Sequence, residues 1–256
     1  MGTLVLGDLA VLLDFVGTYG ITRLMIVAAV LLGCWLGLKR AGFEGRARLA
    51  TWLAVALPLT FWFVGVWWLA LSGAFQPRPA VPALPLAIIA PVAVGLPLLM
   101  RSRRIAQMLD AIPPQWLVAL QVYRVVGATF LVQWGLGNIS TAFALPAGLG
   151  DMLVGLLAIP AALALRPGTR RALTRAVRWN LLGILDLVVA VTLGALSQNG
   201  FLPSSPLGYP LVMIPAFTVP LSLILHGLSL WQLKRRRAAL QEAERSVTLE
   251  AAAATR

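Results

Sequence analysis

RPGTRRALTRAVRWNLLGILDLVVAVTLGALSQ, residues 166–198, decides the class of the fold. Five arginines crowd its first 13 residues, and the 18 residues Trp179–Leu196 that follow carry one charge, Asp186. A helix needs about 20 mostly apolar residues to cross the hydrocarbon of a bilayer. This stretch supplies one such run, with a basic collar at one end only. Basic collars mark the cytoplasmic side.

Working outward, the same ruler predicts seven spans, near Ile21–Leu38, Leu49–Leu71, Leu84–Met100, Trp116–Leu136, Ala147–Leu165, Trp179–Leu196 and Leu211–Leu233. Of 21 Lys and Arg, 18 fall within residues 39–48, 101–104, 166–178 and 234–256. The alternate connections, 72–83, 137–146 and 197–210, hold a single basic residue, Arg78. The expected fold is therefore an all-α polytopic integral membrane bundle of seven transmembrane helices, N-out and C-in. Residues 1–20 read as an outer interfacial segment or a kinked extension of the first span, and an eighth span there is the alternative. Residues 21–233 form the transmembrane domain and 234–256 a basic cytoplasmic tail, helical at first and frayed by Ala251–Ala254. A short surface helix is expected over 104–112, stopped by Pro113-Pro114.

Composition agrees. A hydrophobic fraction of 59% with 12% charged residues lies far from a soluble domain. The net charge of +12 points to anionic lipid headgroups at the cytoplasmic face rather than to nucleic acid. Arginine outnumbers lysine, and alanine and leucine dominate, as in GC-rich bacteria; a bacterial inner membrane is the expected location. Cys34 is the single cysteine, so no intrachain disulfide and no CxxC motif exist. The two lysines, Lys39 and Lys234, sit at span ends, which excludes an intramembrane Schiff base. No HExxH, GxxxxGK[ST] or GxSxG motif is present. No cofactor, metal or catalytic residue is expected, and no two carboxylates are expected at one depth.

A shift of 125 residues lays the first, second and third spans on the fifth, sixth and seventh. Ala70-Leu71-Ser72 then matches Ala195-Leu196-Ser197, and Pro85-Leu86 matches Pro210-Leu211. This suggests a parallel three-plus-one-plus-three duplication, an arrangement some transporters use. Gly33-x-x-x-Gly37 suits close helix approach.

Ionisable groups inside a span cost about 3 kcal/mol or more to insert, so each needs a reason. Arg124 lies eight residues beyond Trp116, Asp186 seven beyond Trp179, and His226 seven before Leu233. At about 1.5 Å per residue all three lie roughly 10–12 Å from the inner surface. An Arg124–Asp186 pair is expected, with His226, Gln121 and Asn180 lining the same substrate or proton site. Asp151, within Pro146-Ala-Gly-Leu-Gly-Asp151, is expected to cap the fifth helix and pair with Arg23. Gln133 and Asn138 would lie near that outer layer, as a cap or an outer vestibule.

Three functions fit. A small transporter or proton-coupled permease requires a cavity reaching the Arg124–Asp186 level. A non-catalytic accessory or assembly subunit, or a homo-oligomer, requires a dry core and a partner surface. A membrane enzyme requires a pocket open to lipid and a nucleophile or metal site.

Overall fold

The computed structural model describes residues 2–76, 83–166, 168–203 and 207–254; Arg78 lies outside them. Every regular element among these residues is helical. In order they are α1 (Gly2–Arg40), α2 (Gly45–Leu71), α3 (Ala83–Arg101), α4 (Arg103–Ala111), α5 (Gln115–Leu120), a 3-10 segment (Gln121–Gly127), α6 (Ala128–Gly135), α7 (Thr141–Leu163), α8 (Arg170–Gln198), a π segment (Ile214–Thr218) and α9 (Val219–Ala254). Among the described residues seven helical stretches are long and apolar enough to cross a membrane; α5, the 3-10 segment and α6 together make the fourth. Large apolar side chains point outward from them, with Phe61 82% and Leu98 61% exposed. Such surfaces suit a chain dissolved in lipid.

Local chemistry sets the ends. Gly42 and Gly73 take positive φ (78° and 70°) after α1 and α2. Each lets the next residue turn back on the helix, Phe43 N–H to Leu38 O and Ala74 N–H to Leu69 O, both at 3.0 Å. Ser102 and Thr169 cap α4 and α8 by accepting from Ile105 N (3.4 Å) and Ala172 N (3.2 Å). The helix expected over 104–112 is α4, whose Ile105, Met108 and Leu109 are buried.

The basic residues meet at one end of the bundle. Arg40 stacks on Trp116 and Arg48 on Trp35. Arg104 donates to Thr51 Oγ1 (3.1 Å), Arg237 donates to Thr174 Oγ1 (2.8 Å), Arg235 pairs with Asp110, and Arg170 pairs with Glu244. The last span is central: 67% of its apolar stretch is buried, against 11% for α3. The α9 helix runs on to Ala254 rather than fraying at Ala251. Residues 2–20 are helical and continuous with the first span.

One boundary differs in a way that matters. The fifth span starts at Thr141, after Ser140, not at Ala147. Pro146 and the glycines after it lie inside the helix; lipid tolerates both residues within spans because packing and neighbouring groups compensate the lost bonds.

Candidate functional site

Along α7, Ala144, Gly148, Asp151, Gly155, Ala158 and Ala162 recur at steps of four and three, and all are buried. They form a seam of small residues on one face, interrupted by one carboxylate. The fourth span lies against this seam at backbone range. A Cβ on Gly155 would stand 2.7 Å from Val125 N, and one on Gly148 would stand 3.3 Å from Gly127 O. Small residues permit such an approach, and it is what binds membrane helices in the absence of a hydrophobic drive.

The part of the fourth span on the seam is the 3-10 segment. Residues three apart eclipse there, so Gln121 and Arg124 share one face, both buried (0% and 2% exposed). That face meets α8 and α9. Gly183 and Asp186, three apart on α8, and Ser222, His226 and Ser229 on α9 complete the ring.

Arg124 is the centre. Its Nε donates to Asp151 Oδ1 at 2.8 Å, and Nη2 lies 2.6 Å from the same oxygen. Nη2 also pairs with Asp186 Oδ2. Nη1 donates to Gly183 O at 3.1 Å and faces His226 Nε2 at 3.3 Å. Hydrogen bonds thus leave from all three guanidinium nitrogens. Glycines make the room: a Cβ on Gly150 would overlap the Asp186 carboxylate, one on Gly127 would overlap Asp151, and one on Gly183 would come within 2.5 Å of the His226 ring.

The outer bonds fix His226. Asn180 Nδ2 donates to Ala176 O (2.8 Å) and Ser229 Oγ (3.1 Å), so its Oδ1 faces His226 Nδ1 at 2.9 Å. An amide oxygen only accepts. Nδ1 therefore carries the hydrogen, and Nε2 presents its lone pair to Arg124. Gln121 Nε2 donates to Ser222 O (3.1 Å). Ser222 Oγ spends its hydrogen on Thr218 O (2.9 Å), so Tyr123 OH donates to Ser222 at 2.8 Å.

The expected Arg124, Asp186, His226, Gln121 and Asn180 thus come together. Asp151 does not cap a helix. It is mid-helix, ten residues past Thr141, and its partner is Arg124. The reading that no two carboxylates share a depth is corrected with it. The cause is the early start of α7, with the 3-10 rise of about 2 Å per residue lifting Arg124 toward Asp151. Arg23 is buried and donates to Pro210 O (3.1 Å). Asn138 bonds Gln133 (2.6 Å) at an exposed turn. Among the described residues neither of these two bonds involves Asp151. Tyr123, Ser222, Ser229 and the glycines were not anticipated; the four-three spacing on α7 was the readable signal for the seam. Of Gly33 and Gly37, Gly37 packs against Met108 and Ile112 of α4, while a Cβ on Gly33 would meet nothing within 4 Å.

A cavity of about 220 Å³ lies between α3, α6, α7, α8 and the π segment, in the half away from the basic end. Leu84, Ile88, Phe130 and Phe143 wall it, and Gln198 and Asp151 are the polar residues that line it. A space of about 10 Å³, bounded by Tyr123, Arg124, Asp151 and Ser222, lies beside it; that is near the room one water needs.

A family model described as Domain of unknown function (DUF8737) matches residues 81–234, more than half of the chain, and spans Arg124, Asp151, Asp186 and His226. No curated protein and no solved structure matches.

Proposed function

Since the chain belongs to the family described as Domain of unknown function (DUF8737), we propose its function from the site alone: a small proton-coupled permease of the membrane. The observation that supports this most is one buried guanidinium held between two carboxylates, one of which, Asp151, also lines a cavity. One cation and two anions leave a net charge of −1. Within a span an uncompensated charge costs several kcal/mol, and a single proton on either carboxylate removes it. The pair then titrates as a unit. A proton on Asp186 frees Nη2 for Asp151 alone, which loosens α8 from the fourth span. Loss of that proton restores the shared contact. Exchange between these arrangements couples proton binding to helix packing, with His226 and Asn180 holding the guanidinium in plane.

The cavity walls suit a small solute that is apolar except for a donor or cationic group directed at Asp151. All three nitrogens of Arg124 already bond protein groups, which disfavours an anionic substrate. The positive-inside rule puts the basic end in the cytoplasm and the cavity on the outer side, in a seven-span, N-out and C-in protein of a bacterial inner membrane. The 125-residue correspondence would make α1–α3 and α7–α9 related units.

The test is a set of proteoliposomes with a trapped pH dye, challenged with a panel of small amphiphilic solutes. A solute that drives a lumenal pH change in wild type but not in Asp186→Asn or Asp151→Asn supports the reading. Wild type matching empty vesicles across the panel, or variants that keep the flux, would overturn it. One observation favours a second reading, an accessory subunit: the bonding of all three Arg124 nitrogens within the protein also describes a structural lock.

A further inference from the structure

A second cavity, about 400 Å³, lies between α1, α2, α3, α4, α5 and α9 toward the basic end, apart from the Arg124 cluster. Its shape follows from a missing contact. The helices α2 and α3 follow one another in the chain yet scarcely touch; α2 packs on α1, and α3 on α9. The gap between them is the cavity mouth. Ala54 and Pro58 on α2 and Val94 and Leu98 on α3 line it and are exposed, whereas Leu109 and Leu225 at its back are 0% and 4% exposed. It is a slot open sideways, walled by apolar groups. Gly95 keeps its middle clear, since a Cβ there would meet only Ile224 Cδ1, at 3.7 Å.

The basic end of this slot carries charge. Arg104 adjoins the wall residue Ile105 and bonds Thr51, one turn before Ala54. Arg48 lies one turn before Thr51, and Arg101 and Arg103 follow the lip residue Leu98. None of these four arginines is in an ion pair among the described residues. An apolar slot at hydrocarbon depth, ended by unpaired cations at the interface, has the chemistry of one ligand class.

We propose that this slot binds one anionic phospholipid, with an acyl chain between α2 and α3 and the phosphate on Arg48, Arg101 and Arg104. The site is independent of the permease reading. Cationic side chains at the interface attract anionic headgroups, while the chain gains contact with walls that no helix covers.

Cys34 lines the slot and is the single cysteine, which makes it a reporter. The experiment measures the rate of Cys34 alkylation by N-ethylmaleimide in delipidated, detergent-solubilised protein, with added phosphatidylglycerol or phosphatidylcholine. Expected is slow but measurable alkylation without lipid at alkaline pH, since Cys34 is 8% exposed, and protection by phosphatidylglycerol at concentrations about tenfold lower than phosphatidylcholine requires. The double variant Arg101→Gln/Arg104→Gln should erase that preference. Gly95→Trp, backed by Val94→Trp on the exposed lip, should slow alkylation with no lipid present, at an unchanged unfolding temperature for the lip variant. Equal protection by the two lipids, a preference that survives the arginine changes, or a Cys34 unreactive in delipidated protein would each overturn the proposal.

Discussion

Arg124 and Asp151 meet through a single carboxylate oxygen: Oδ1 of Asp151 lies 2.8 Å from Nε and 2.6 Å from Nη2. A fork-on-fork pair would use both carboxylate oxygens and close the guanidinium edge. Here the edge is shared, and Nη2 also contacts Asp186. Two helices, α7 and α8, are therefore tied through one nitrogen of a third. That sharing makes the site sensitive to any change in either carboxylate.

Removing the guanidinium should expose this sharing. Arg124→Gln leaves the buried Asp151 and the partly buried Asp186 without their cation, and breaking a buried pair in this way costs about 3–5 kcal/mol. Unfolding in mixed micelles should report that loss, and adding Asp186→Asn to Arg124→Gln should recover a substantial part of it. Arg124→Lys should recover little, because an ammonium cannot serve Asp151, Asp186, Gly183 and His226 at once. Wild-type stability for Arg124→Gln would mean that the cluster is held against the fold, as functional sites often are.

The glycine cradle makes a second prediction. Gly183→Ala drives a methyl to within 2.5 Å of the His226 ring and 3.1 Å of Arg124 Nη1, and Gly150→Ala overlaps the Asp186 carboxylate. Each should cost about 1–3 kcal/mol by overpacking. Gly33→Ala, where a Cβ meets nothing within 4 Å, should be neutral or stabilising by up to about 1 kcal/mol. Thermal melts of the three variants decide it; equal behaviour would dismiss the close-approach account.

Legibility followed the physics of the solvent. Lipid requires long apolar runs, so the spans could be read from Trp179–Leu196 outward, and the basic collars are local in sequence. The common depth of Arg124, Asp186 and His226 was legible because helical rise is nearly constant when counted from a charged end. Asp151 was misplaced for the converse reason. Pro146-Ala-Gly-Leu-Gly has the composition of a loop in water, yet it is helical here, so the count began from the wrong end-point. The change of rise within Gln121–Gly127 leaves no composition mark, and which spans scarcely touch, as α2 and α3 do, is a property of pairs that no single span records.

Gln232 was not anticipated and ties the central helix to the basic end. It is fully buried, and its Nε2 donates to Ile112 O at 2.9 Å and also to Leu109 O, at the end of α4. Gln232→Leu keeps the volume but leaves two buried carbonyls without this donor. A loss of about 1–3 kcal/mol is expected, together with faster hydrogen exchange in α4. Unchanged exchange there would show that Arg235 and Arg236, which also bond this turn, hold α4 without it.

His226 offers the most direct test of the network, because the chain contains one histidine. The bonds around Asn180 require Nδ1 to carry the hydrogen and Nε2 to accept from Arg124. Nitrogen-15 spectra of labelled protein should therefore show a single imidazole with a protonated-type Nδ1 and a bare Nε2. The more common tautomer of free histidine, with hydrogen on Nε2, would point a donor at a guanidinium and contradict the geometry. Asn180→Leu removes the acceptor at Nδ1 while leaving Arg124, Asp151 and Asp186 in place. It should lower the Nδ1–H population and destabilise the bundle by about 1–3 kcal/mol through the unpaired ring nitrogen. A spectrum unchanged by Asn180→Leu would show that Arg124, rather than Asn180, selects the tautomer.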